Sequence, residues 1–447
     1  MSLSPFDSTL LGPLFADAEI AAYFCDESVI AAMVLFEAAL ASAQAQAGVI
    51  PETAAKRIGD VCRDFTPDPA SLAASTASTG VPVPGLVKAL KAEIGGDDAR
   101  YVHFGATSQD VVDTALVLRM RDVIALLRQR LRKVIKSLMV ISQDHRQTVM
   151  AGRTRSQQAV PTTFGLKAAG WLLPLVRLDH QLVVASRQFL RLSFGGASGT
   201  LASLGDHGAS VERYLANELG LGTTEMPWHS QRDVVIELAS KLTMLTGALG
   251  KIGQDLVLLA QSEIAEVTPA GGGGSSTMPH KSNPIAAEML VTLARFSATQ
   301  MSHMYHSQIH EHERSGTAWL LEWLSLPEIV MASGKSLALA VELVPSLHIN
   351  AAKMRENMEI SHGAMLAEAA TFALVNHMAR DGADQLVKQA IAQSQHNHSN
   401  MFDELPKLTD APVDWDHVRD PANYVGMSNH YIDRVIGVAQ RALAESG

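Results

Sequence analysis

The sequence predicts an all-α fold built on long helices, and three observations carry that expectation. Hydrophobic residues make up 47% of the chain and aromatics only 5%, a balance that suits packed helices better than sheets, which draw on β-branched and aromatic side chains. Between Asp110 and His145 there is neither glycine nor proline. Over the same stretch apolar residues recur every third or fourth position, at Val112, Leu116, Met120, Val123, Leu127, Leu131, Val134, Leu138 and Ile141, which is the period of one amphipathic helix.

Some 35 residues at about 1.5 Å each span roughly 50 Å. That exceeds the width of a lone small domain, so the helix is expected in a bundle shared between subunits. Proline-free, apolar-rich stretches also run over about 233–267 and 285–322, and with the first they define a central long-helix domain over 103–346. Residues 1–102 carry shorter helical patterns broken by Pro51, Pro67, Pro69, Pro82, Pro84 and Gly95–Gly96, the expectation for a small N-terminal helical domain. Residues 347–447 shorten again around Pro406, Pro412 and Pro421 and are expected to form a third small helical domain.

Charge and cysteine content exclude several classes. With 36 basic against 46 acidic residues and a net charge of -10, no nucleic-acid surface is expected, and positive groups that handle an anion must be concentrated locally. Two unrelated cysteines, Cys25 and Cys62, support neither a disulfide framework nor a thiolate zinc site. Residues 1–10 lack the basic and apolar regions of a leader, and no 18 apolar residues run unbroken, so the expectation is a soluble cytoplasmic protein with no membrane segment.

Polar clusters interrupt the helical background. "GGGGSSTMPHKSNP" (271–284) combines loop-forming glycine and proline with Ser275, Ser276, His280, Lys281 and Asn283. It is not a phosphate-binding P-loop, because Lys281 follows His280 and no strand precedes the glycines. "HFGATSQDVVDT" (103–114), "GRTRSQQAVP" (152–161) and "WHSQRD" (228–233) sit where helix patterns end, the usual place for displayed functional groups. Thr107 or Ser108 also suits helix capping, with Asp110 meeting the dipole. In "SHMYHSQIHEHERS" (302–315), His303, His306, His310 and Glu313 step by helical intervals. One face could then hold a metal, but a helix lining a polar interface has the same pattern, and no metal is expected.

With those residues in view, "GGSSTMPHKSNP" resembles the G-S-S-x-M-P-x-K-x-N-P signature of the fumarase/aspartase superfamily, and "TSQDVVDT" and "GRTRSQ" fall where that superfamily keeps its other two shared regions. "RYVHFGATSQDVVDTALVLRMRD", "FGGASGTLASLG", "PWHSQRD", "HEHERS" with "WLLEW", and "DPANYVG" are similar to the bacterial 3-carboxy-cis,cis-muconate cycloisomerases within it. Adenylosuccinate lyases, which share M-P-H-K-x-N-P, are the alternative. The resemblance spans essentially the whole chain and implies a homotetramer with a central twenty-helix bundle, each active site shared among three subunits. It implies lactonisation of a 3-substituted muconate, without metal or organic cofactor, on the route of protocatechuate breakdown.

Chemistry explains the residue types that the resemblance singles out. Members pass through a carbanion whose charge spreads into a neighbouring carboxylate, so cations and preorganised donors are needed where charge develops. The resemblance gives Ser275 the proton transfer, and gives Lys281 and Asn283 the grip on the carboxylate. A serine needs nearby positive charge and N–H groups to act in this way, and a glycine-rich loop that closes on substrate expels water. For a small anionic dicarboxylate or tricarboxylate the expected binding groups are His103, Thr107, Ser108, Thr154, Arg155, Gln157, His229, Gln231, Arg232 and Arg314. Many lyases of the group have T-H-x-Q where this chain has Thr154, Arg155, Ser156 and Gln157. A carboxylate leaving group with a pKa of about 4 needs little protonation, so losing that histidine suits lactone chemistry. Arg155 can bind a carboxylate with its planar fork instead. Ser282, where many relatives have arginine, leaves a 3-sulfo substrate open.

Overall fold

The computed structural model describes residues 4–268, 273–274, 278 and 281–444, and they form an all-α protein. Two one-turn helices, α1 (Gly12–Phe15) and α2 (Ala18–Ala21), precede four of ordinary length: α3 (Asp26–Gln46), α4 (Glu52–Asp64), α5 (Pro69–Thr79) and α6 (Val83–Ile94). Five long helices follow, interrupted by one short one: α7 (Ser108–Asp144), α8 (Phe164–Phe189), α9 (Gly208–Leu219), α10 (Asp233–Leu259), α11 (Ile285–His306) and α12 (Thr317–Leu343). The remainder is short again: α13 (Ala351–Glu359), α14 (Ala367–Val375), α15 (Arg380–Asn397), α16 (Met401–Leu408), α17 (Trp415–Val418) and α18 (Ser428–Ala444).

The long helix read from apolar periodicity is α7, and Val123, Leu127, Leu131, Val134 and Leu138 on its apolar stripe are fully buried. Two expected rods are shorter than the sequence suggested. α10 stops at Leu259 rather than near Val267, where Val267–Thr268 (β3) pairs antiparallel with His348–Ile349 (β6). The stretch read as one rod over 285–322 is two helices separated by 307–316. Ser307 turns its hydroxyl back onto the Met304 carbonyl, His312 takes a positive φ, and the Ser315 hydroxyl accepts the Ala318 N–H at the start of α12. The break also separates His310 from the helical face of His303 and His306, so the metal-like spacing does not exist in the fold. Among the described residues no group of three metal-ligating side chains forms.

"GRTRSQQAVP", expected where a helix pattern ends, makes up most of an antiparallel hairpin, β1 (Val149–Thr154) with β2 (Gln157–Thr163). Val149, Val160, Thr162 and Thr163 supply the β-branched side chains that favour strands.

The chain divides into two compact units. The first comprises Met1–Arg130, Leu178–Gly247 and Leu293–Ala338, the second Leu131–Arg177, Ala248–Thr292 and Leu339–Gly447. Among the described residues three helices, α3, α10 and α12, are long and apolar enough to cross a membrane by composition, with mean hydropathy of 1.2 to 1.6, although none is an unbroken apolar run. Between 50 and 61% of those stretches is buried within the chain. Their outer faces leave Leu35, Met244, Leu258, Leu320 and Leu324 exposed.

Candidate active site

In the first unit the N-terminus of α7 is organised by Asp110. Its buried carboxylate accepts the Thr107 N–H at 2.9 Å, closing the first turn by reaching back onto the residue before the helix. It also accepts the N–H groups of Gly195 and Gly196 at 2.8 and 3.0 Å, and meets His229 Nε2 at 2.7 Å. These contacts satisfy the buried carboxylate and fix its position at the helix end. Gly195 and Gly196 are required here. A Cβ on Gly195 would sit 2.7 Å from the Pro227 side chain, and Gly196 has φ 66°, where a side chain is strained. The loop therefore brings its backbone close to the helix end only because it lacks side chains.

Arg314 closes over the same place. Its Nη1 donates to the Thr107 hydroxyl at 2.6 Å and approaches the Ala197 carbonyl at 3.5 Å. Thr107, Ser108 and Arg314 are all partly exposed, so a guanidinium and the positive end of a helix dipole adjoin one solvent-facing corner. That combination attracts a carboxylate. His103 stands beside it with Nδ1 2.6 Å from Glu37 Oε1 and φ 61°. Burial alone would push the His103 pKa down, but the hydrogen bond and charge of Glu37, with the charge of Asp110, more than offset this, and the net shift is upward.

Behind the helix end lies an interior charge tie. Arg232, 1% exposed, holds Asp113 through Nη1 and Nη2 at 2.7 and 3.1 Å, and Glu322 through Nε and Nη2 at 2.9 and 2.6 Å. Its guanidinium lies 4.8 Å over the Trp228 ring, and Trp319 Nε1 donates to Asp113 at 3.0 Å. Burial lowers the Arg232 pKa, but the two carboxylates more than reverse this, and the net shift is upward. Arg232 thus differs from the substrate-gripping fork that its sequence position suggests, because both edges of its guanidinium are committed to acidic side chains of its own chain. Gln231 is exposed beside it, its N–H on the Trp228 carbonyl at 3.2 Å.

In the second unit Arg155 and Ser156 form the two-residue tip of the hairpin, with φ 50° and 66° and with Thr154 opposite Gln157. Positive φ at both central positions is the conformation that hairpins usually assign to Asn-Gly, so a non-glycine pair there stores backbone strain. Thr154, Arg155 and Gln157 are exposed at this tip. The neighbouring Arg153 is engaged instead with buried Glu266, at 2.9 and 2.6 Å, and Asn357 also donates to Glu266. The hairpin therefore presents one arginine and anchors itself with the other.

The glycine-rich loop lies in the same unit. Gly273–Gly274 (β4) pairs antiparallel with Ser282–Asn283 (β5), Gly273 facing Asn283. Lys281 is exposed and its N–H bonds to the Met278 carbonyl at 2.9 Å. Pro284 then leads into α11, whose Glu288 N–H meets the Pro284 carbonyl. Ser275 lies outside the described residues.

The sequence model of a lyase family matches residues 16–296. The chain belongs to the fumarase/aspartase superfamily. A curated 3-carboxy-cis,cis-muconate cycloisomerase of Bradyrhizobium diazoefficiens is 41% identical over 446 residues, covering 97% of this chain and 99% of that protein. One of Pseudomonas aeruginosa is 40% identical over 96% of this chain and 95% of its own length. Among solved structures, the 3-carboxy-cis,cis-muconate lactonizing enzyme of Pseudomonas putida superposes with a TM-score of 0.92 at 35% identity, over 98% of this chain and all of that one.

Of the site residues expected from the superfamily motifs, the fold brings His103, Thr107, Ser108, His229 and Arg314 to one end of α7, and sets Thr154, Arg155 and Gln157 on one hairpin tip. Sequence reading missed the partners that position them: Glu37, Asp113, Glu322, Trp319 and Glu266. Their available signal was chemical. Acidic residues such as Asp113 and Glu322 within apolar helical stretches are seldom buried unless paired.

Proposed function

We propose that this chain is a 3-carboxy-cis,cis-muconate cycloisomerase, an intramolecular lyase that forms 4-carboxymuconolactone. The observation that carries the reading is the likeness to cycloisomerases along nearly the full length of both chains. Arg155, at a position where an amine-releasing lyase benefits from a histidine, supports it further.

In the proposed step, a carboxylate oxygen of the substrate attacks a carbon of the conjugated diene and forms the lactone C–O bond. The displaced π electrons move to the adjacent carbon and spread into its carboxylate. Ser275 delivers the proton that completes that carbon. Lys281 and Asn283 meet the carboxylate as its charge grows, and donors fixed beforehand lower the barrier without reorganising during the reaction. Arg314 with Thr107 and Ser108, and Arg155 with Thr154 and Gln157, bind the remaining anionic groups. His103 and His229 stand as anion binders or proton carriers. Gln231 contributes as a donor from its exposed position, and Arg232 supports the site by fixing Asp113. The substrate is its own nucleophile, so the scheme draws on no metal or organic cofactor.

The functional form in this reading is a cytoplasmic homotetramer with three regions per chain, 1–102, 103–346 and 347–447. The apolar side chains left exposed on α3, α10 and α12 support an assembly that covers them. A 3-sulfo analogue is a second candidate substrate for the same cations. The deciding assay mixes purified protein with 3-carboxymuconate and follows diene absorbance. Its loss is expected, whereas unchanged absorbance with cleavage of adenylosuccinate overturns the assignment.

A further inference from the structure

A cavity of about 690 Å³ lies within the first unit, lined by Ile30 and Met33 of α3, Leu72 of α5, Leu116 and Arg119 of α7 and Leu326 of α12. Its volume falls in the range of about 300–1,000 Å³ typical of small-molecule sites. The α7 positions that face it, Val112, Ala115, Leu116 and Arg119, differ from Asp110 and Asp113 at the candidate active site. Two acidic residues also border it: Asp26, exposed at the start of α3, and Glu322, whose oxygens are held by Arg232.

Arg119 is the polar feature that needs explaining. Its Nε donates to the Ala115 carbonyl at 3.2 Å, its Nη1 to the Tyr23 carbonyl at 3.0 Å, and its guanidinium lies 5.4 Å from the Phe24 ring centroid. Among the described residues no carboxylate pairs with it, in contrast to Arg128, Arg130, Arg153 and Arg232. Burial lowers its pKa to about 10, with only the Cys25 thiol acting the other way, so the group is charged at neutral pH. A sheltered cation with two neutral carbonyl acceptors and no counter-ion is costly to maintain, and it borders a cavity with an otherwise mainly apolar wall.

We propose that this cavity binds an amphipathic monocarboxylate, its carboxylate on the open side of the Arg119 guanidinium and its aliphatic body against Ile30, Met33, Leu72 and Leu326. The proposal is independent of the catalytic assignment, since none of these residues belongs to the proposed chemistry. Calorimetric titration of the full-length protein with octanoate is expected to show one site per chain. Octan-1-ol, which keeps the tail and lacks the charge, binds at least about tenfold more weakly, the effect of losing a charged hydrogen bond. Arg119→Met weakens octanoate binding to the same degree, and Leu72→Trp, which fills the cavity, removes it. The comparison of acid and alcohol uses the unsubstituted protein, so it holds even if a variant fails to fold. Equal binding of acid and alcohol, displacement of octanoate by 3-carboxymuconate, or no binding because a second copy closes the cavity would each overturn the proposal.

Discussion

Arg314 Nη1 lies 2.6 Å from the Thr107 hydroxyl, tying the segment between α11 and α12 to the N-terminus of α7. The bond leaves the rest of a partly exposed guanidinium beside a helix end that already favours anions. Replacing Arg314 with methionine should cost about 1.5–3 kcal/mol of transition-state binding, roughly 10–150-fold in kcat/KM. Steady-state kinetics with 3-carboxymuconate check this. Lysine at the same position should recover only part of the loss, because it offers a point charge in place of a planar fork.

Arg232 should behave differently, because its donors are committed to Asp113 and Glu322. Arg232→Met strands two buried carboxylates and is expected to cost about 3–5 kcal/mol of stability, seen as a lowered denaturant midpoint. If Arg232 instead gripped substrate directly, the midpoint would hold and KM alone would rise.

The His103–Glu37 pair gives stability a pH dependence of defined sign. The folded His103 pKa is raised, so the contribution is fully present below the ordinary imidazole value and is lost as pH rises through the raised one. Glu37→Gln should therefore reduce stability at mildly acidic pH and matter progressively less above that window. Chemical unfolding of both proteins across the range from weakly acidic to weakly alkaline pH reads the difference.

At the hairpin tip, Arg155 and Ser156 both hold positive φ. Ser156→Gly removes a backbone penalty of roughly 1 kcal/mol and should raise the unfolding midpoint slightly without changing kinetics. Arg155→Met should leave the midpoint unchanged and raise KM for the muconate, which separates the strain of the tip from the charge it carries.

Much of this architecture is legible in the sequence, and the gaps have physical causes. The apolar period identified α7 because a helix packed on one side keeps a regular stripe. α8 and α12 carry Pro174 and Pro327 inside them, so local propensity argues against helices that tertiary packing maintains. The 307–316 break was hidden because its polar residues still step at helical intervals. The motif residues were readable because the superfamily signature fixes residue types at set spacings. Their supports were not, since the Asp110 contacts with Gly195 and Gly196, and the Asp113 to Arg232 to Glu322 tie, join positions about a hundred residues apart, which periodicity cannot connect.

Ser275→Ala, assayed with 3-carboxymuconate, probes the proposed proton delivery most directly. Loss of a positioned acid or base should lower kcat by about 10²–10⁴-fold while KM stays within about threefold. Turnover equal to that of the unsubstituted chain would contradict a proton carried by this hydroxyl.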